Sequence, residues 1–137
     1  MRRSIVVRLL GLAMLTASAV GGSVAAAGPA LASAPCADLS LSASPAVVHP
    51  GEPETVSGSI TNCSDQTETV KLRVHVTGPC NIDARDAFKL TLEPGQTLER
   101  SVTFPAPDCL GTYTVRAKAV SGGVVLDKAK ASFEVVA

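Results

Sequence analysis

The chain has 137 residues, with 12 Lys or Arg, 12 Asp or Glu, 46% hydrophobic and 3% aromatic residues, enough for one domain with a single core. Arg2, Arg3 and Arg8 precede residue 33, so the remainder carries nine basic against 12 acidic residues, about −3 at neutral pH. The two signs are interspersed along the sequence, which excludes the basic footprint of a nucleic-acid binder and makes an anionic membrane an equally poor partner.

In chain order, the basic start is followed by an uncharged, mainly apolar run over 9–20, ended by Gly21 and Gly22. Twelve residues fall short of the roughly 20 that cross a bilayer as a helix, so the run predicts a cleaved export signal. Ala30-Leu31-Ala32 offers an A-x-A cleavage site with Ser33 as the new N-terminus. Ala32-Ser33-Ala34 fits the same pattern, but Pro35 would then follow the scissile bond, where its ring and missing N–H obstruct a protease. The flanks of Arg2-Arg3 lack the fuller twin-arginine pattern, and Pro35 stands where a lipoprotein signal needs a small residue before Cys36. The expected organisation is a signal peptide over 1–32 and one domain over 33–137. No apolar tail or sorting signal occurs before Ala137, so the expected product diffuses freely once exported.

From Asp38 onward the sequence alternates with period two between Pro, Gly and Asn breaks, and no helical period appears. This predicts a seven-stranded antiparallel immunoglobulin-like β-sandwich, an all-β fold. The first strand covers 38–43 with Leu39 and Leu41 on one face, and the second covers 54–62 with Val56, Gly58 and Ile60 inward. In the third, 68–77, Val70, Leu72, Val74 and Val76 alternate with Lys71, Arg73, His75 and Thr77. The fourth turns Phe88, Leu90 and Leu92 inward, and Pro94-Gly95 leads to the fifth over 97–104 with Leu98, Val102 and Phe104 inward. Arg100 shares that parity, so it either lies at a sheet edge or marks a bulge, and the edge is preferred. The sixth begins at Gly111 with Tyr113, Val115, Ala117 and Ala119 inward. In the seventh, Val124 and Leu126 sit on one parity and Ala129, Ala131, Phe133 and Val135 on the other. A bulge near Asp127 reconciles the two sets, leaving Lys128 and Lys130 outside, where they discourage edge pairing.

The four cysteines, Cys36, Cys63, Cys80 and Cys109, form an even set with gaps too wide for a zinc site. If successive strands alternate direction, Cys36 and Cys63 share one end of the sandwich and Cys80 and Cys109 the other. Any other pairing would span a strand length, against the roughly 6 Å between α-carbons that a disulfide tolerates. The predicted bridges are therefore Cys36–Cys63 and Cys80–Cys109, in keeping with an oxidising, extracellular compartment.

The segments His49-Pro50-Gly51-Glu52, Leu92-Glu93-Pro94-Gly95-Gln96 and Gly111-Thr112-Tyr113-Thr114-Val115 resemble those of bacterial immunoglobulin-like domains of the adhesion-related, CARDB type. Those domains place a Pro-Gly turn before strands two and five, an Asn at the end of strand two, and Gly-x-Tyr at the start of strand six. The resemblance implies a passive extracellular module for spacing or binding. Tyr113 stands where such folds form a tyrosine corner, with a rim-facing core aromatic as the plain alternative. Unlike antibody domains, the chain has Val115 at the position of the inter-sheet Cys and contains no Trp.

Catalytic constellations are missing from the pattern. Only His49 and His75 could act as the base for a nucleophilic Ser, and neither lies in a G-x-S-x-G context, so both read as surface histidines. Asp83 and Asp86 flank Arg85, and Glu52 and Glu54 flank Pro53, without the ligand spacing of a dedicated calcium site. The aromatics Phe88, Phe104, Tyr113 and Phe133 all read inward, leaving no platform for a sugar ring. Asn62-Cys63-Ser64 matches the glycosylation pattern, but its Cys is committed to a bridge. No catalytic residue, cofactor or metal ligand is assigned. The expected function is a secreted, non-enzymatic binding or structural module with an extracellular protein or cell-surface partner. It would act through loops 78–85 and 105–110 or an open sheet edge. The alternative is a secreted protease inhibitor whose loop is stiffened by Cys80–Cys109.

Overall fold

The computed structural model describes residues 34–137; the expected signal peptide over 1–32 and the start at Ser33 lie outside the described residues. Eight strands follow in order: β1 Ala37–Ser44, β2 Val47–Val48, β3 Pro53–Asn62, β4 Glu68–Gly78, β5 Ile82–Leu92, β6 Thr97–Pro105, β7 Gly111–Ser121 and β8 Val124–Val135. They form two sheets, β1-β3-β6 and β2-β8-β7-β4-β5. The all-β immunoglobulin-like sandwich stands, with two corrections to strand number and pairing. Val47–Val48 adds an eighth strand, and it pairs parallel to β8 at Glu134 and Val135. Two residues carry no detectable alternation, so only the pairing with β8 marks them as a strand, and it buries Val48 in the core.

Strand parity falls as the alternation predicts. Val115, Ala117 and Ala119 are buried on β7, while Arg116 and Lys118 between them are exposed. β3 pairs with β6 in unbroken register from Pro53–Pro105 to Thr61–Thr97, so no bulge displaces Arg100, which lies on an edge strand opposite Gly58. The register of β7 with β8 does shift, from Ala119–Asp127 to Val120–Val125. That bulge brings Leu126 to the core but leaves Val124 62% exposed, against the inward position expected for it. The turn before it, Gly122-Gly123, has positive φ at both residues, the geometry that closes a two-residue hairpin with the sheet's own twist.

Two buried clusters occupy the poles. Ala37, Ile60, Val70, Leu92 and Ala119 pack near the Cys36–Cys63 end, and Val48, Ala106, Tyr113, Phe133 and Val135 near the Cys80–Cys109 end. Between them the inward side chains of β4, β5 and β6 are mostly half-buried. The cause is side-chain volume. Gly58 and Ala117 supply little bulk at mid-strand, Val115 stands where a bridging Cys would fill the centre, and there is no Trp.

Candidate functional site

At the first pole, Cys36 and Cys63 are bonded with α-carbons 5.0 Å apart, and the Cys63 N–H donates to the Cys36 carbonyl at 3.1 Å. Asn62 organises the neighbouring turn. Its Nδ2 donates to the Gln66 and Leu92 carbonyls at 2.7 and 3.0 Å, and its Oδ1 accepts from the Ser64 N–H and hydroxyl at 2.9 and 2.8 Å. The amide nitrogen of this fully buried residue is occupied, so the Asn62-Cys63-Ser64 motif offers no glycan acceptor in the folded chain. Glu68, also buried, holds the chain start by accepting the Cys36 N–H at 3.0 Å. Asp38, Cys36 and Cys63 place potential ligand atoms within 4.8 Å of one another, but the two sulfurs are already bonded to each other.

At the second pole Cys80 and Cys109 are bonded, α-carbons 6.2 Å apart. The tyrosine corner forms there: the Tyr113 hydroxyl donates to the Cys109 carbonyl at 2.8 Å, and its ring stacks on Phe133 at 5.2 Å. Burial raises the Tyr113 phenol above its ordinary value, and nearby Asp108 adds to the rise. Gly78 is required beneath that ring, because a Cβ would overlap it. The expected loop over 78–85 is not a loop. Gly78 pairs with Ile82 and Thr77 with Asp83, so only Pro79, Cys80 and Asn81 turn the chain, the last two at φ +58°. Asn tolerates that left-handed backbone, and the bridge holds Cys80 there. Such a tight turn offers a protease no extended segment, and nothing in the structure favours the inhibitor reading.

The candidate polar residues are dispersed. His49 caps its own turn, its N–H donating to Glu52 Oε2 at 3.0 Å, with Nδ1 3.2 Å from the Val136 carbonyl. His75 Nε2 meets Asp83 Oδ1 at 2.7 Å on the outer face of β4 and β5, and Arg85 lies 3.6 Å from the same oxygen. The His75 hydrogen bond, then the charges of His75 and Arg85, hold the Asp83 carboxyl below its ordinary range. Asp86, expected beside Asp83 in a loop, lies in β5 on the opposite parity, so the two carboxylates cannot share an ion. Glu54, the first residue of the predicted second strand, is fully buried at the start of β3, and neither carboxyl oxygen has a partner of good geometry. Burial raises its pKa, offset in part by the Ser44 and Thr55 amides.

Two features were not legible residue by residue. The first is an apolar cleft of about 830 Å³ between the sheets. The sheets approach where β1 packs on β8 and β7, while the cleft reaches the edge strands β5 and β6. Leu72, Val74, Phe88, Val102 and Phe104 line it, and Arg100 sits at its rim with no ion-pair partner among the described residues.

The second is a division of charge between the outer faces. The three-stranded sheet presents hydroxyls that pair with one another: Ser40–Ser59, Thr55–Thr103, Ser57–Ser101 and Thr61–Thr97, at 2.6 to 2.8 Å. The five-stranded sheet presents Lys71, Arg73, Arg85, Lys89, Arg116, Lys118, Lys128 and Lys130, all exposed. Interspersed in sequence, the charges are segregated in space, because alternation sends every second residue of β4, β5, β7 and β8 to that face.

These features define a disulfide-stapled immunoglobulin-like sandwich module. No protein-family model matches the sequence, and no curated protein matches it either. Among solved structures, the chain is similar to the CARDB domain of a Pyrococcus furiosus protein, determined in complex with di-metal ions. The TM-score is 0.56 at 17% identity, over 74% of this chain and 90% of that one. The solution structure of the same domain gives 0.56 at 18%, over 74% and 96%. The fold is therefore CARDB-like. It also resembles part of the Pseudomonas fluorescens alkylpurine DNA glycosylase AlkC bound to abasic-site DNA, with TM-score 0.53 at 18% identity. There the match covers 74% of this chain and only 30% of the glycosylase, and at these identities it is a likeness of fold alone.

Proposed function

We propose that the chain is an exported, non-enzymatic binding module whose ligand site is the cleft between the sheets, and that the ligand is an apolar chain with an anionic end. Export is supported by the basic-then-apolar start of the sequence and by two disulfides, which persist in oxidising compartments. A non-catalytic role is supported by the separation of His49, His75 and the carboxylates, which assemble no nucleophile and base.

The observation that carries the reading is the cleft. Its volume lies within the ~300–1,000 Å³ of small-molecule sites, its walls are mostly aliphatic and aromatic, and Arg100 stands at its rim without an ion-pair partner among the described residues, with Lys89, Glu99 and Asp108 also on the lining. Apolar walls left half-wet gain free energy when a chain displaces water from them. Arg100 then matches a carboxylate, which it can hold by two hydrogen bonds.

Titration calorimetry of the oxidised protein with laurate, below its micelle concentration, is expected to show one saturable site. Arg100→Gln should weaken laurate about tenfold, the worth of a charge-assisted hydrogen bond, and leave neutral decanol binding unchanged. Folded protein that takes up no laurate at 100 micromolar, or a loss that is equal for decanol, would reject the reading.

A further inference from the structure

We propose that the outer face of the five-stranded sheet binds an extended polyanion, a linear polymer with a negative group on each repeat. This goes beyond the cleft reading and concerns the opposite side of the same sheet, so either can fail while the other stands.

The register places the cations in rows. Lys130, Arg116, His75 and Arg85 form one row across β8, β7, β4 and β5. Lys128, Lys118 and Arg73 form the next, and Lys71 with Lys89 a third. Neighbours in a row are about 4.8 Å apart and rows about 6.7 Å apart, so the patch measures roughly 14 Å each way. Of the nine Lys and Arg beyond residue 33, only Arg100 is off this face.

Carboxylates do not balance it. Asp83 and Glu134 are the acidic residues on the face, and Asp83 makes the ion pairs seen there, to His75 and Arg85. Like charges directly opposite on neighbouring strands destabilise a sheet, and Lys71–Lys89, Lys118–Lys128 and Arg116–Lys130 are all directly opposite. The separations lie inside the ~8 Å screening length of physiological salt, so the repulsion is felt. A polyanion removes it and releases its own counterions.

The rest of the face narrows the partner. Thr69, Thr77, Thr91, Thr112, Thr114 and Ser132 share the face, with Ala87, Val120 and Val125 at its remaining positions and no aromatic ring to stack a base. The apolar side chains on the face, Val120 beside Lys71 and Val125 beside Val120, are short and confined to one corner, so charge density along a polymer is what the face can read. Five of the eight cations are lysines, point charges that favour no single anion geometry.

The test is fluorescence anisotropy of the oxidised protein with labelled long-chain inorganic polyphosphate and dextran sulfate, using neutral dextran as a blank. Binding is expected at 50 millimolar salt, with log affinity falling linearly in log salt. Arg116→Gln with Lys118→Gln should weaken both polymers at least tenfold and lower the salt slope by about two. Ser42→Glu with Ser101→Glu, the same charge change on the outer face of the other sheet, should leave the slope unaltered; circular dichroism and melting checks that all variants fold. No binding at 50 millimolar salt, or equal loss in the control pair, overturns the proposal. Tighter binding to phosphatidylglycerol vesicles than to either polymer overturns it also, making the face a membrane-docking surface.

Discussion

Glu54 and Asn62 stand at opposite ends of the inward face of β3, and both are fully buried. Asn62 satisfies its whole carboxamide, whereas Glu54 leaves both oxygens without a partner of good geometry. An ionised carboxylate taken from water without compensation destabilises the fold, which is why burial raises the Glu54 pKa. The folded value therefore exceeds the unfolded value near 4.5, and the folded state binds more protons between them. Its stabilising contribution is complete below the unfolded value and lost as pH rises through the folded one. Asp83 works in the opposite direction, stabilising above its ordinary 3.8 and failing as pH falls through its lowered value. Glu54→Gln is expected to remove the loss on the alkaline side and raise stability at pH 7 by about 1 kcal/mol. Urea melts of both proteins from pH 4 to 8 check this, and parallel curves would contradict it.

At the scale of the element, alternation decides which face each strand buries, and the disulfides decide how the strands are held at each end. Both bridges connect positions flanking strands that run in opposite directions, with sequence separations of 27 and 29. Each closes a loop worth roughly 3.5 kcal/mol in the chain-entropy model. Because the two clusters lie at the poles and the centre is half-wet, the bridges sit where the packing already is. Cys80→Ser with Cys109→Ser is therefore expected to cost about 3.5 kcal/mol and to loosen the Tyr113 corner first. Thermal melts, with hydrogen exchange at Tyr113 and Val115, would show it. Uniform loss of protection across both sheets would instead mean that the poles do not unfold separately.

At the scale of the whole molecule, one outer face is a lattice of paired hydroxyls that carries the carboxylates Asp38 and Glu99, and the other carries eight cations. A net charge near −3 conceals this dipolar arrangement. Repulsion within the cationic face is screened by salt, so raising sodium chloride from 20 to 500 millimolar is expected to increase the melting temperature by about 3 °C. A fall in melting temperature would mean that attraction between the two faces' charges outweighs repulsion within one.

Much of this was readable from residues alone, for a specific reason. Period-two alternation is a local property, and the strand directions it implies were enough to pair Cys36 with Cys63 and Cys80 with Cys109, to put Arg100 on an edge, and to require a bulge near Asp127. Tyr113 was placed by its Gly-x-Tyr context. What sequence order could not convey depends on which strands become neighbours. Val47–Val48 is a strand only because β8 runs beside it, and 78–85 is a tight hairpin only because β4 and β5 continue to pair up to Gly78 and Ile82. Glu54 opens the predicted second strand, but its burial is not evident until Phe104 is found opposite it. The cleft arises from side chains too small to fill the space between two sheets, and the cationic face from four strands that register their charges side by side. Both are sums over distant segments, and long-range packing alone sets their terms.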